Sequence, residues 1–269
     1  MMSTIPQRSR TPSGAAYIDL GRGDETVVLV HGVGMRIEAW APQIARLARD
    51  RRVIALDLPG HGESAPLDGQ PDLPRFVEWF GRTLDELETG PVNVAGHSMG
   101  ALIATGAVAT APRKIKRVAL LNGVHRRSPE ARLAVEARAD EIGSGRFDRE
   151  APLERWFSDE ERHGEACRLV HDLLQMVDPA GYAAAYKAFA TGDSVYSDCW
   201  PQVTCPALFL TGDGDPNSTP EMAREMAAAA PHGEAVIIEG HRHMVNLTAP
   251  DAVNRALEDW LGREVRDDA

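Results

Sequence analysis

Short β-branched runs alternate with stretches of helical periodicity along most of the chain. Thr26 to Val30, TVVLV, is an apolar run that leads into His31-Gly32-Val33-Gly34, the pattern of a buried strand. Arg52 to Leu58 repeats that pattern, and between the two Glu38 to Ala48 carries Trp40, Ile44 and Leu47 at helical spacing. Strand, helix and strand in that order predict a parallel sheet. Ala15 to Leu20 alternates more weakly and meets the turn Gly21-Arg22-Gly23-Asp24, which predicts a hairpin with the TVVLV strand.

The same rhythm continues downstream. Leu73 to Leu87 places Phe76, Trp79, Phe80, Leu84 and Leu87 near one helical face, and Gly90-Pro91 ends it before a strand at Val92 to Ala95. The helix expected from about Ser98 is rich in Ala and Gly, which permits close packing on a sheet. Further strands are predicted at Arg117 to Leu121, Ala207 to Leu210 and Ala235 to Ile238. Helices follow at Thr219 to Ala230, with Ser218 or Thr219 as cap and Pro220 in the first turn, and at Asp251 to Leu261.

The rhythm breaks once. Residues 126 to 200 are helical in character, with candidate helices at Ser128 to Ile142, Cys167 to Val177 and Gly181 to Phe189. A stretch of 75 residues is too long for a loop in a compact domain and is expected to be an inserted helical cap. The expected division is therefore a core of residues 1–125 and 201–269 with a cap at 126–200. The fold class is α/β, a mostly parallel twisted sheet flanked by helices.

Composition narrows the function classes. The 29 basic against 40 acidic residues give a formal charge of −11, which argues against a nucleic-acid partner. The 126–200 stretch carries 10 basic and 15 acidic residues, so the negative charge is spread over both parts. An anionic ligand would then depend on individual arginines. No run approaches the roughly 20 apolar residues of a membrane span. The three cysteines, Cys167, Cys199 and Cys205, have no metal-like or redox spacing, and the reading they suggest is a reducing, cytoplasmic home. The first residues, MMSTIPQRSRTPSG, lack the apolar core of a secretory signal and are expected to be a loose leader. His163 and His171 lack a third partner, so no metal is expected.

The sharpest chemical signal is Gly96-His97-Ser98-Met99-Gly100. A Gly-x-Ser-x-Gly between a strand and a helix lifts the serine hydroxyl to the strand's carboxyl end, on a turn that tolerates only small neighbours. Serine is a weak nucleophile near neutral pH and needs a base oriented by a carboxylate. Two later loops supply candidates: Thr211-Gly212-Asp213-Gly214-Asp215 after one strand, and Gly240-His241-Arg242-His243 after the last. Each lies where open α/β sheets bind ligands, and each offers two choices.

Taken together, His31-Gly32-Val33-Gly34, Asp57-Leu58-Pro59-Gly60-His61-Gly62-Glu63-Ser64, the serine turn, Gly212-x-x-Asp215 and Gly240-x-x-His243 resemble the α/β-hydrolase fold family. The resemblance covers nearly the whole chain outside 126–200. It implies Ser98 as nucleophile, Asp215 rather than Asp213 as the acid, and His243 rather than His241 as the base. It also implies an oxyanion hole formed by the backbone N–H groups of Val33 and Met99, the latter favoured by its place at a helix start. Dehalogenases and epoxide hydrolases of this fold use an aspartate where Ser98 stands. The serine-nucleophile branch resembled most is that of 3-oxoadipate enol-lactonase and ring-cleavage-product hydrolases, including amide hydrolases of N-heterocycle degradation.

The expectation is thus a serine hydrolase without cofactor, acting on a small ester, lactone, amide or C–C bond, as a monomer or homodimer. Arg126 and Arg127, where the cap begins, and Arg36 after Gly34 are candidates for a substrate carboxylate. Trp40 and His241 are candidate pocket residues, and His61 a structural one. A small-ligand receptor with little turnover is the alternative class. A dinucleotide-binding reading of Gly32-Val33-Gly34 lacks its third glycine, with Ile37 in that place.

Overall fold

TVVLV is buried at all five positions because its strand lies inside the sheet with helices on both faces. Val28 and Val30 join the core on one face and Val27 and Leu29 the core on the other, the period of two that a pleated strand imposes. The structure is a computed structural model and describes residues 6–265.

Eight strands make one sheet: β1 (Ser9–Arg10), β2 (Ala16–Leu20), β3 (Thr26–Val30), β4 (Arg52–Leu56), β5 (Val92–His97), β6 (Ile115–Leu121), β7 (Ala207–Gly212) and β8 (Gly233–Ile238). Their order is β1-β2-β4-β3-β5-β6-β7-β8. From β4 to β8 the pairings are parallel, whereas β1 and β2 are antiparallel. The fold is the expected α/β class.

Two expectations fail at the amino end. The hairpin of β2 with β3 does not form: β2 pairs with β4, Tyr17 facing Leu56 and Leu20 facing Val53. Both edges of β3 are taken by parallel partners, so the Gly21–Asp24 turn carries the chain across β4 instead. Gly21 permits this, since a Cβ there would fall 2.2 Å from the carbonyl oxygen of Arg51. The leader, where described, is anchored. Ser9–Arg10 forms β1, and the Arg8 guanidinium, 7% exposed, donates to Asp57 at 2.5 Å and to Glu38 at 2.7 Å. Residues 1–5 of that leader lie outside the described residues.

One face of the sheet carries α2 (Leu73–Glu86) and α3 (Met99–Thr110), whose small residues bring it close to the strands. It also carries α8 (Pro220–Ala229). The other face is covered by Ile37 and Trp40, by Ile44 and Leu47 of α1 (Ala41–Leu47), and by Val253, Leu257 and Trp260 of α10 (Pro250–Leu261). The predicted Thr219 cap is present, its side chain accepting from the N–H of Met222, with Pro220 at the first helical position. A four-residue helix, α9 (Val245–Thr248), too short for periodicity to reveal, follows the His243 loop.

Between β6 and β7 lie α4 (Pro129–Gly143), α5 (Ala151–Trp156), α6 (Glu165–Gln175) and α7 (Pro179–Gly192). Ser128 and Asp178 cap α4 and α7 through their side chains. Helix α7 meets the core backbone to backbone, because a Cβ on Gly181 would fall 2.1 Å from the carbonyl oxygen of Gly60. No described helix is long and apolar enough to cross a membrane.

Candidate active site

The turn from β5 into α3 has no room for larger neighbours. A Cβ on Gly96 would sit 2.1 Å from the Gly100 carbonyl oxygen, and one on Gly100 would sit 2.1 Å from that of Val30. Ser98 between them has φ +54°, a left-handed conformation that serine rarely adopts. Sheet hydrogen bonding holds it there, with Ser98 N–H donating to the Leu121 carbonyl at 2.9 Å. The hydroxyl is thereby placed beyond the carboxyl end of β5, at the first turn of α3.

Val33, Ser98 and His243 line one cleft together with Arg155, Trp156, Tyr186, Phe189 and Asn217. Its empty space, open mouth included, is about 370 Å³. Larger grooves exist elsewhere, one between α2 and α3, but they hold none of these residues.

His243 Nδ1–H donates to Asp215 Oδ2 at 2.7 Å, which leaves Nε2 as a lone pair. Asp215 also accepts from Asn122 Nδ2 at 2.8 Å and from the Asn217 N–H at 2.8 Å. Burial by itself raises the Asp215 pKa, but His243 and these donors outweigh it and hold the carboxyl below its ordinary value. The structure thus places Asp215 on His243. Asp213, in contrast, is exposed and accepts from the Gly240 N–H, tying together the loops that follow β7 and β8.

Three buried histidines shape the surroundings. His97 Nε2–H donates to the His243 carbonyl at 2.8 Å, and its ring lies 5.0 Å from that of His243. The Leu58 N–H donates to His31 Nε2 at 2.9 Å, so His31 carries its proton on Nδ1 and donates to Gly32 O at 2.7 Å. The Gly34 N–H likewise donates to His61 Nε2 at 3.0 Å. Both rings hold the loop His31–Gly34 in place. Burial pushes His31 and His97 down to about 3 and lowers His61 as well, so all three are neutral. The N–H groups of Val33 and Met99 donate to no acceptor among the described residues.

The other sequence candidates are placed elsewhere. Trp40 is wholly buried, edge-on to His97 at 6.5 Å, and is a core residue. His241 Nδ1 lies 2.9 Å from both Glu161 and Thr248, linking the stretch between β6 and β7 to α9. Arg126 is exposed and pairs with Asp198. Arg127 is buried over the Phe189 ring, donates to the Phe189 carbonyl at 3.2 Å and lies 3.3 Å from Asp193. Arg36 is half-buried and meets the sulfur of Met176. None of these lines the cleft.

Helix α5, only six residues long, leaves no periodic signal, yet its last two residues enter the cleft. The Trp156 ring stacks on His243 at 5.7 Å, and the Trp156 carbonyl accepts the His243 N–H at 3.1 Å. Arg242 binds the same helix end, donating to the carbonyls of Glu154 and Phe157. Asn122 and Asn217 were also missed. Asn217 follows Asp215 by two residues, the spacing at which an aspartate side chain accepts from the backbone N–H.

The alpha/beta hydrolase family matches residues 27–256. The (E)-2-((N-methylformamido)methylene)succinate hydrolase of Acinetobacter baylyi is 51% identical over 247 residues, which span 92% of this chain and 94% of that protein. Among solved structures, a thermophilic esterase from Thermogutta terrifontis with malate bound superposes with a TM-score of 0.85 at 25% identity, over 95% of this chain and 98% of the other. The enol-lactonase of Burkholderia xenovorans LB400 superposes with a TM-score of 0.82 at 27% identity, over 96% and 100%.

Proposed function

This chain belongs to the alpha/beta hydrolase family and is a hydrolase, and on that premise we propose that it cleaves small carboxylate-bearing amides or esters through Ser98, His243 and Asp215. One observation carries the proposal: a serine on a left-handed turn opens onto the same cleft as a histidine whose Nδ1–H is held by a buried, ionised carboxylate. His243 Nε2 takes the proton of Ser98 as Oγ attacks the carbonyl carbon. The oxyanion is met by the N–H groups of Val33 and Met99, and Asp215 stabilises the imidazolium. The leaving group departs with that proton. Water, activated by His243, then releases the acyl group from Ser98.

The substrate class draws on the Acinetobacter relative, whose substrate joins an N-methylformamido group to an unsaturated succinate. Attack at the formyl carbon of such a molecule would break its amide C–N bond. Residues 126–200 act in this proposal as a cap, supplying Arg155, Trp156, Tyr186 and Phe189 to the cleft wall. Asn217 supplies the facing polar group from the core.

The test combines labelling and turnover. A fluorophosphonate probe should label the wild type and not Ser98→Ala. His243→Ala should lower kcat by about 10⁴-fold or more on a 4-nitrophenyl ester, while His241→Ala stays within about tenfold. Equal labelling of Ser98→Ala, or equal losses in the two histidine variants, would overturn the assignment.

A further inference from the structure

Arginines of the 126–200 segment are almost all engaged. Arg126 pairs with Asp198, Arg127 and Arg132 share Asp193, Arg138 donates to the Tyr186 hydroxyl, and Arg149, Arg162 and Arg168 have acceptors nearby. Of the arginines in this segment, all among the described residues, only Arg146 and Arg155 make no side-chain hydrogen bond or ion pair. Arg146 is exposed on the outer surface, but Arg155 is half-buried and lines the cleft that contains Ser98.

In a chain of charge −11 with carboxylates in abundance, this guanidinium at the cleft wall keeps its donors free for an anion. No carboxylate approaches it: Glu161 is held by His241, and Asp215 by His243, Asn122 and Asn217. The Asn217 side-chain amide, also without a partner, reaches the same cleft from the core side. Arg155 immediately precedes Trp156, whose carbonyl accepts the His243 N–H, so its position along the chain is tied to the base.

We propose that Arg155 is the specificity-determining residue that binds a substrate carboxylate, with the Asn217 amide as a second donor, and so orients the scissile carbonyl toward Ser98. The proposal rests on the serine-hydrolase reading above. It assigns to Arg155 the part that Arg126 and Arg127 had been expected to play. A planar guanidinium binds carboxylate oxygens through paired, charge-assisted hydrogen bonds, and those bonds are lost when the carboxylate is esterified.

The test compares methylenesuccinate with its dimethyl ester by calorimetric titration into Ser98→Ala, with and without Arg155→Gln. With Arg155 present the dianion should bind at least about tenfold more tightly than the diester, and with Gln the two should differ by less than about threefold. Turnover gives a second readout on otherwise wild-type protein. The ratio of kcat/KM for 4-nitrophenyl hydrogen adipate to that for 4-nitrophenyl hexanoate should fall about tenfold in Arg155→Gln, mainly through KM, and recover in part in Arg155→Lys. A dianion bound no more tightly than the diester, or a ratio unmoved by Arg155→Gln, would overturn the proposal. Failure of the serine reading looks different, as turnover that survives Ser98→Ala.

Discussion

Asn122 is the residue on which the Asp215–His243 pair leans most without being part of it. Its backbone is left-handed, φ +49°, just past the end of β6, and its Nδ2 donates to Asp215, to Thr211 Oγ1 and to the Arg242 carbonyl. One amide thus ties both loops that follow β7 and β8 to the end of β6. Asn122→Ala should lower kcat about tenfold and move the acidic limb of the pH–rate profile upward, because Asp215 loses a donor to its charged form. A profile unchanged in position would show that Asn122 only packs. Asn122 escaped the sequence reading because one asparagine after a strand carries no pattern. Ser98, Asp215 and His243 were legible because each stands at a fixed offset from a glycine in a strand-end loop.

At the scale of elements, the long strands and helices follow from their apolar spacing, while α5 does not. Six residues cannot show a helical period, and α5 takes its place from contacts at its carboxyl end, where His243 N–H and Arg242 satisfy carbonyls that a helix end leaves open. Trp156 adds the packing, with its ring against His243. Trp156→Ala should cost about 3 kcal/mol of stability in denaturant unfolding and lower kcat more than it raises KM, since the imidazole loses the face that holds its plane. Equal effects on both substrates of the ester pair used for Arg155 are expected. A selective loss of the carboxylate-bearing substrate would instead place Trp156 in substrate recognition. The β2 expectation failed at this scale too, because a local turn signal does not reveal that both edges of β3 are already paired.

For the whole molecule, the buried histidines set the response to acid. His31 and His97 titrate near 3 when folded and near 6.5 when unfolded, so between those values the unfolded chain binds more protons. Their contribution is intact above about pH 6.5 and is lost progressively as pH falls toward 3. Each should cost about 2 kcal/mol of stability between pH 7 and pH 5. The urea midpoint should fall accordingly over that range, and His97→Gln should flatten the slope. A midpoint independent of pH would mean that these rings are protonated in the fold.

The sequence by itself determined the alternation of the long strands and helices, the strand-end loops that hold the candidate residues, and the helical stretch between β6 and β7, because apolar period and glycine spacing are local properties of the chain. Only the tertiary structure decided which arginine faces the cleft. Arg126, Arg127 and Arg155 are alike in sequence, and what separates them is whether a carboxylate or carbonyl from a distant segment has already taken the guanidinium. Pairing across that distance depends on how α4 and α7 pack on each other and how α7 packs on α2 and α3, and local pattern carries no record of it.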